Sequence, residues 1–218
     1  MTLHLREELV ATARRMSELG LTPGTSGNIS VRNHVGFLVT PSGMPYGELR
    51  PTDAVEMRMD GTLRPGQRIP STEWQLHRDI LAARPDALAI VHTHSLFCTT
   101  LSCLHKPIPA IHYMVALAGS DEVPCADYAT FGSAELAANV ARALHHGLAC
   151  LMANHGMVAL GTSLPAALRL AAEIETLASL YWHAAQIGAP FILDAVALDR
   201  VRDRFGAYGQ TRPTRGRQ

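Results

Sequence analysis

Apolar and polar positions in the first third of the chain change from a helical to a strand period. Apolar residues recur every three or four positions over residues 3–19, which predicts an amphipathic helix that ends at Gly20. Short runs rich in β-branched and apolar residues follow, and the first two flank a turn at Asn33–Gly36. These runs predict three strands: ISVR (29–32), GFLVTP (36–41) and AVEMRMDG (54–61).

Helical patterns alternate with short strands in the remainder of the chain. Thr72 followed by Gln75 forms a capping-box pattern, so Thr72 is the predicted N-cap of a helix that ends before Pro85. The segment 106–132 is rich in proline and glycine and is predicted to be irregular, with one or two short strands. The other predicted elements are a strand at 87–94, helices at 95–103, 133–146, 164–187 and 194–205, and two strands around Asn154–Gly156.

This mixture of strands and helices predicts an α/β fold. We expect a single three-layer domain over residues 1–210, with a central, mostly antiparallel sheet flanked by helices. The tail, residues 211–218, has almost nothing to bury and is predicted to be disordered.

Composition removes several classes of function. The 218 residues are 47% hydrophobic and 17% charged, and 19 basic side chains balance 19 acidic ones. This balance argues against nucleic-acid and membrane partners. No apolar run is long enough for a membrane span and no signal peptide is evident, so a cytoplasmic location is expected. The four cysteines form no C-x-x-C pair and are predicted to be reduced, buried thiols.

Candidate chemistry begins at the end of the strand 87–94. His92 and His94 are two residues apart, so their imidazoles project to the same side of a strand. Paired imidazoles are good ligands for Zn²⁺, and His155, in the tight turn before Gly156, is the best third candidate. The remaining histidines, His77 among them, lack a partner at ligand spacing and are predicted to be surface residues or hydrogen-bonded core residues.

Glu73 and three small loops add to this pattern. Glu73 lies in the first turn of its predicted helix, where a negative charge is also favoured by the helix dipole. The loops GTSGN, TPSG and PST are small, hydroxylated or glycine-rich, and such backbone binds phosphate readily. Neither of the glycine-rich nucleotide-binding motifs is present, so a nucleotide ligand is not indicated.

These motifs occur in the order GTSGNIS, TPSG, PSTEW, VHTH, IPAIHYM, YATFG and NHG. The order resembles the class II aldolase/epimerase family of zinc-dependent sugar-phosphate enzymes over nearly the whole chain, from Leu19 to Tyr208. Within that family it is most similar to the branch that cleaves L-fuculose 1-phosphate. The combination is specific, although each motif alone is not.

The resemblance implies roles for individual residues. It implies one zinc ion per subunit, held by His92, His94 and His155, with Glu73 as a fourth ligand that becomes the catalytic base. The phosphate of the substrate would be held by Thr25, Gly27, Asn28, Ser42, Gly43, Ser71 and Thr72. Thr72 stands where the family usually has serine, and the hydroxyl is kept.

The resemblance also implies an assembly. The family forms homotetramers with active sites between subunits, so Tyr113 would donate a proton in the site of a neighbouring subunit. Tyr208 would be a further catalytic residue, and Phe131 and Phe205 would contact substrate.

The implied reaction is the reversible cleavage of a ketose 1-phosphate to dihydroxyacetone phosphate and an aldehyde, through a zinc-stabilised enediolate. A lysine Schiff base is the other route to an aldol cleavage. Lys106 is the only lysine in the chain and lies in a polar loop, so the metal route is favoured.

Several alternatives stay open at this stage. A methylthioribulose-phosphate or deoxypentulose-phosphate aldolase would share nearly every motif. A pentulose-phosphate 4-epimerase fits less well, because that branch has aspartate where Glu73 stands, and a decarboxylating branch has lysine where Thr72 stands. A non-catalytic, zinc-stabilised scaffold should have lost the base or the phosphate loops. The aldehyde and the choice among zinc, manganese and cobalt are also open.

Overall fold

A seven-stranded sheet runs through the computed structural model, which describes residues 2–207. Tyr208 and the predicted tail, residues 211–218, lie outside the described residues. The strands are β1 (Asn28–Arg32), β2 (Gly36–Val39), β3 (Val55–Arg58), β4 (Ala89–Thr93), β5 (Cys125–Ala126), β6 (Ala149–Met152) and β7 (Gly156–Gly161). Their order is β3-β2-β1-β4-β7-β6-β5, and all neighbours are antiparallel except the pair β5–β6. The predicted mostly antiparallel sheet is confirmed.

Helices cover both faces of the sheet. They are α1 (Thr2–Glu18), α2 (Trp74–Ala83), α3 (Leu96–Ser102), α4 (Ala134–Ala143), α5 (Leu164–Ile187) and α6 (Ala195–Ala207). One apolar core joins α1, α3, α5 and α6 to the sheet, and a separate core joins α2 and α4 to the opposite face. The predicted three-layer architecture is therefore also confirmed.

The central strand β4 separates the two cores. Ala89 and Val91 belong to the α5 side and Ile90 to the α2 side, as the two-residue period of a strand requires. Every residue of β4 is buried, because helices cover both faces. The strand therefore ends in a position fixed by packing on all sides.

The start of α2 differs from its prediction. The helix begins at Trp74, and its N-cap is Glu73, whose side chain makes no cap hydrogen bond. The predicted capping box at Thr72 is wrong, because Thr72 precedes the N-cap by one residue and Gln75 is only the second residue of the helix. The side chain of Glu73 contacts histidines from other elements instead of capping the helix.

The irregular segment and the cysteines show smaller differences. The segment 106–132 contains a 3₁₀ helix (Tyr113–Ala118) and one two-residue strand, and α4 ends three residues before its predicted end. Four free cysteines are present, of which Cys98 and Cys150 are buried while Cys103 is exposed. The prediction of buried thiols is thus wrong for Cys103.

Residues 2–207 contain no helix that combines the length and apolar character needed to cross a membrane.

Gly161 marks a close approach between β7 and α5. A Cβ at Gly161 would overlap the backbone nitrogen of Ala167 and lie 2.9 Å from its Cα. Because backbone atoms cannot turn aside, we expect Gly161→Ala to lower the free energy of unfolding by about 1–3 kcal/mol. Gly188→Ala is the matched control, since Gly188 is exposed and has nothing within 4 Å of such a Cβ.

Urea unfolding of the two variants measures this difference. The control should stay within about 0.5 kcal/mol of the parent protein. Equal effects of the two substitutions would contradict the packing argument.

Candidate metal centre

Four side chains from separate parts of the chain meet at one end of β4. Glu73 precedes α2, His92 lies in β4, His94 follows β4, and His155 lies in the turn between β6 and β7. Each offers one possible ligand atom, and these atoms all lie within 4.8 Å of one another. The structure therefore brings together the three predicted histidines and the predicted carboxylate.

The three imidazoles form a nearly equilateral triangle. Their ring centroids are 4.8 Å (His92–His94), 4.9 Å (His92–His155) and 4.8 Å (His94–His155) apart. The Nε2 atoms of His92 and His94 are 3.0 Å apart. Glu73 Oε2 lies 3.1 Å from Nε2 of His92, and Oε1 lies 3.3 Å from Nε2 of His155. His92 and His155 thus direct Nε2 toward the carboxylate, and His94 directs Nε2 toward that of His92.

Tight backbone packing places His155 beside the other ligands. A Cβ at Gly156 would overlap the carbonyl oxygen of Thr93 and lie 3.2 Å from the ring of His94. Asn154 adopts a left-handed conformation with φ of 52°, which asparagine tolerates better than most residues. The Asn-His-Gly sequence therefore provides the sharp turn and close approach that this arrangement needs.

A backbone hydrogen bond determines which ring nitrogen of neutral His92 carries the proton. Nδ1 of His92 donates to the carbonyl oxygen of Met157 at 2.9 Å, and a carbonyl can only accept. In the neutral ring Nε2 is then unprotonated and free to bind a metal. Metal-binding histidines commonly make this kind of contact through their second nitrogen.

The electrostatic environment favours one positive charge beside Glu73. Burial alone would raise the pKa of Glu73, but the imidazoles of His92 and His155 and a hydrogen bond from Asn28 hold it well below its usual range. Burial also opposes the charged form of His92, yet Glu73 raises the pKa of that ring overall. Burial and the neighbouring rings lower the pKa of His94 to about 3 and that of His155 to about 4.

A metal ion fits this donor set. Among the described residues, Glu73 Oε1 is buried and accepts no hydrogen bond. The Nε2 atoms of His92 and His94 lie 3.0 Å apart beside an ionised carboxylate, an arrangement that one bound cation would stabilise. Three histidine nitrogens and one carboxylate oxygen are ligands that suit Zn²⁺.

A cavity of about 330 Å³ opens onto the cluster. Glu73, His94 and His155 line it, as do most of the residues expected to bind substrate. The predicted substrate-binding residues that line it are Thr25, Gly27, Asn28, Ser42, Gly43, Ser71, Thr72 and Phe131. The three hydroxylated loops therefore share one cavity with three of the four candidate metal ligands.

The cavity of this chain does not include every predicted site residue. Tyr113 is 47% exposed and its ring lies 4.5 Å from that of His112 and 6.4 Å from that of Phe205. Neither Tyr113 nor Phe205 is among the cavity-lining residues. Tyr208 lies outside the described residues.

Two residues that support the site were missed in the sequence. The buried hydroxyl of Tyr46 donates to the carbonyl of Gly27 at 2.7 Å and so holds the first hydroxylated loop. Burial, with Glu73 nearby, raises the pKa of Tyr46 and keeps it protonated. Tyr128 lines the cavity and is 57% exposed. Its position in YATFG, close to Phe131, was an available signal.

Comparison with known proteins places the chain in a family. The profile of the family described as "Class II Aldolase and Adducin N-terminal domain" matches residues 7–182. The chain belongs to this family. A class II aldolase is a metal-dependent lyase, which agrees with the Glu/His₃ cluster.

Named relatives of this class II aldolase include more than one kind of aldolase. The 5-methylthioribulose-1-phosphate/5-deoxyribulose-1-phosphate aldolase of Rhodospirillum rubrum is 50% identical over 205 residues, covering 94% of this chain and 92% of that protein. The L-fuculose phosphate aldolase of Haemophilus influenzae is 43% identical over 206 residues, covering 94% and 95%. A solved L-fuculose 1-phosphate aldolase superposes with a TM-score of 0.89 at 37% identity, covering 93% and 96%.

Replacing one ligand of the class II aldolase cluster should abolish tight metal binding. We expect His155→Ala to weaken Zn²⁺ affinity by more than about 100-fold, because loss of a direct ligand should exceed the 10–100-fold cost of losing an outer contact. Competition with a chromophoric chelator measures this. His34→Ala is the control, since His34 is exposed in the β1–β2 turn. Equal metal affinity of the two variants would exclude His155 as a ligand.

Proposed function

We propose that this class II aldolase is a zinc enzyme that reversibly cleaves a ketose 1-phosphate to dihydroxyacetone phosphate and an aldehyde. The observation that carries the proposal is a single cavity lined by Glu73, two imidazoles of the cluster and three hydroxylated loops. A substrate phosphate in the loops would bring the adjacent carbons next to Glu73. Such positioning is a large part of the rate enhancement in an enzyme of this kind.

The chain supplies groups for each proton that moves. Bound Zn²⁺ would polarise the ketone and stabilise the negative charge that develops as the carbon–carbon bond breaks. Glu73 would carry the proton to or from the carbon next to that ketone, as a carboxylate at the cavity wall can do. Tyr113 would donate a proton to, or accept one from, the oxygen that becomes the aldehyde oxygen.

The phosphate would be held by neutral donors. Ser42, Ser71 and Thr72 bring hydroxyl groups to the cavity from two loops, and Thr25 brings another from the first. None of the described residues that line this cavity is a lysine or an arginine. Hydroxyl and backbone N–H groups would therefore bind the dianion, as they do in other backbone anion sites.

We also propose a homotetramer in which Tyr113 acts in the site of the neighbouring subunit. The support is that Tyr113 is exposed and lies outside the cavity of its own chain. An exposed tyrosine beside Phe205 suits a place where another copy covers it. A cyclic assembly would give every site one such tyrosine.

Two sets of substrates are candidates for the aldehyde end. L-fuculose 1-phosphate is suggested by the motif pattern and by the relatives at 43% identity. A pentulose 1-phosphate with an apolar group at carbon 5 is suggested by the relative at 50% identity. Tyr128 and Phe131 line the cavity, are more than half exposed and could pack against the apolar end of either candidate, since L-fuculose 1-phosphate also ends in a methyl group.

A substrate panel tests the proposed reaction. We expect release of dihydroxyacetone phosphate from at least one of L-fuculose, 5-methylthioribulose and 5-deoxyribulose 1-phosphates, measured with coupled glycerol-3-phosphate dehydrogenase. Glu73→Gln should lower kcat by about 10²–10⁴-fold, the range for loss of general acid–base catalysis. Its zinc content, measured in parallel, separates loss of the base from loss of the metal. No release from any of the three sugars, or an equal rate in the Glu73→Gln variant, would contradict the proposal.

Complementation between inactive variants tests the shared site. Glu73→Gln and Tyr113→Phe subunits are unfolded together, refolded as a 1:1 mixture and assayed. If Tyr113 serves a neighbouring site, about a quarter of the sites in a random cyclic oligomer regain both groups. If Tyr113 serves its own chain, no mixed site has both groups, and activity stays at the level of the separately refolded variants.

A further inference from the structure

A buried chain of hydrogen bonds extends behind Glu73, away from the candidate metal ligands. Nδ2 of Asn28 donates to Glu73 Oε2 at 2.9 Å, and Oδ1 of Asn28 is hydrogen-bonded to Nε2 of His77. Nδ1 of His77 is 2.6 Å from the hydroxyl of Ser30. His77 and Ser30 are completely buried and Asn28 is 4% exposed. This series of hydrogen bonds therefore links Glu73 to residues that water does not reach.

The direction of each hydrogen bond in this chain follows from Glu73. An ionised carboxylate only accepts hydrogen bonds, so Asn28 must present its NH₂ group to Glu73. The amide oxygen of Asn28 then points to His77, and since that oxygen only accepts, Nε2 of His77 must carry a proton. In a neutral ring, Nδ1 then accepts a hydrogen from Ser30.

Imidazole meets these demands better than most side chains. A neutral imidazole donates from one nitrogen and accepts at the other, in fixed directions from one rigid ring. Burial lowers the pKa of His77 to about 3, which agrees with a neutral ring. The backbone N–H of His77 donates to the carbonyl oxygen of Glu73 at 3.4 Å, so the two residues lie one helical turn apart at the start of α2.

We infer that His77 is a positioning residue: its Nε2–H fixes the amide of Asn28 so that the NH₂ group, and not the oxygen, meets the carboxylate of Glu73. Without this donor the buried amide oxygen of Asn28 has no partner, and the amide can turn away from Glu73 to find one. Glu73 would then lose the hydrogen bond that orients it toward the cluster.

The same contact connects two parts of the cavity. Asn28 ends the first hydroxylated loop, lines the cavity and lies opposite His92 in the β1–β4 register. An amide NH₂ group has two hydrogens, so the contact with Glu73 leaves one for a second acceptor. His77 thus orients a single amide that borders both the carboxylate and the loop assigned to phosphate.

The test measures Zn²⁺ affinity of the purified chain by competition with a chelator. His77→Asn keeps a buried amide that reaches toward Ser30 and loses the donor to Asn28, whereas His77→Gln keeps a donor near the position of Nε2. We expect His77→Asn to weaken Zn²⁺ binding by about 10–100-fold, the range for lost outer contacts of metal ligands, and His77→Gln to restore most of it. Melting temperatures of the metal-free proteins report any general loss of stability.

A double-mutant cycle with Asn28→Ala distinguishes positioning from a structural role. If His77 acts through Asn28, His77→Asn should change affinity by no more than about twofold once Asn28 is absent. The same loss in both backgrounds, or a lower melting temperature with unchanged Zn²⁺ affinity, would overturn the inference. If His77→Asn does not fold, His77→Leu, which is of similar size and also lacks the donor, replaces it in the same cycle, with the same two readings.

This inference rests on the proposed function only for the presence of a metal at the cluster. Wild-type protein that binds no Zn²⁺ would overturn the proposed function. Wild-type protein that binds Zn²⁺ as tightly as the His77→Asn variant would overturn the positioning role alone.

Discussion

The carboxylate of Glu73 carries a negative charge in a place that is only 4% exposed to water. Removing such a group from water costs several kcal/mol unless other groups compensate. Here compensation comes from the amide of Asn28 and from imidazoles within 3.1–3.3 Å, and the pKa of Glu73 stays below its usual range. One of its oxygens still lacks a hydrogen bond among the described residues, which leaves room for a cation to complete the balance.

The sheet makes this compensation possible because it places the partners without flexible connections. His92 is held between β1 and β7, opposite Asn28 on one side and Val158 on the other. Gly27 and Gly156 bring two turns against the end of the same strand. A Cβ at Gly27 would lie 2.6 Å from the carbonyl oxygen of His92, and Gly27 also has a φ of 77°. These approaches let loops from distant parts of the chain share one cavity.

The relatives include two kinds of aldolase, and the site has both a buried metal cluster and exposed cavity residues. The metal cluster is built from buried or half-buried side chains, whereas Tyr128 and Phe131 at the cavity are exposed. Exposed side chains can change without disturbing the packing that holds Glu73. A family that varies its aldehyde while keeping its phosphate-bearing fragment would be expected to vary at such positions.

Local patterns in the sequence predicted most of the elements. The helix 164–187 has its predicted bounds, and the hairpin strands and the fold class are confirmed. Periodicity succeeds here because helix and strand geometry fixes which neighbours in sequence share a face. The same rule put His92 and His94 on one side, and the small β6–β7 turn suggested His155. The residue roles drawn from the family resemblance, including those of Tyr113 and Tyr208, remain predictions.

Tertiary structure decided what the local patterns could not express. The N-cap of α2 is Glu73 and not Thr72, and the side chain of Glu73 contacts histidines brought near by the sheet. The parallel pair β5–β6 joins segments with no hairpin signal between them. The sequence predicts for His77 only a surface position or a hydrogen-bonded place in the core, and the pairing of β1 with β4 and the packing of α2 are what bring it to Asn28. Asn28 and His77 are 49 positions apart. Contacts over such separations depend on register and packing of the whole chain, whereas sequence period reports only on neighbours a turn away.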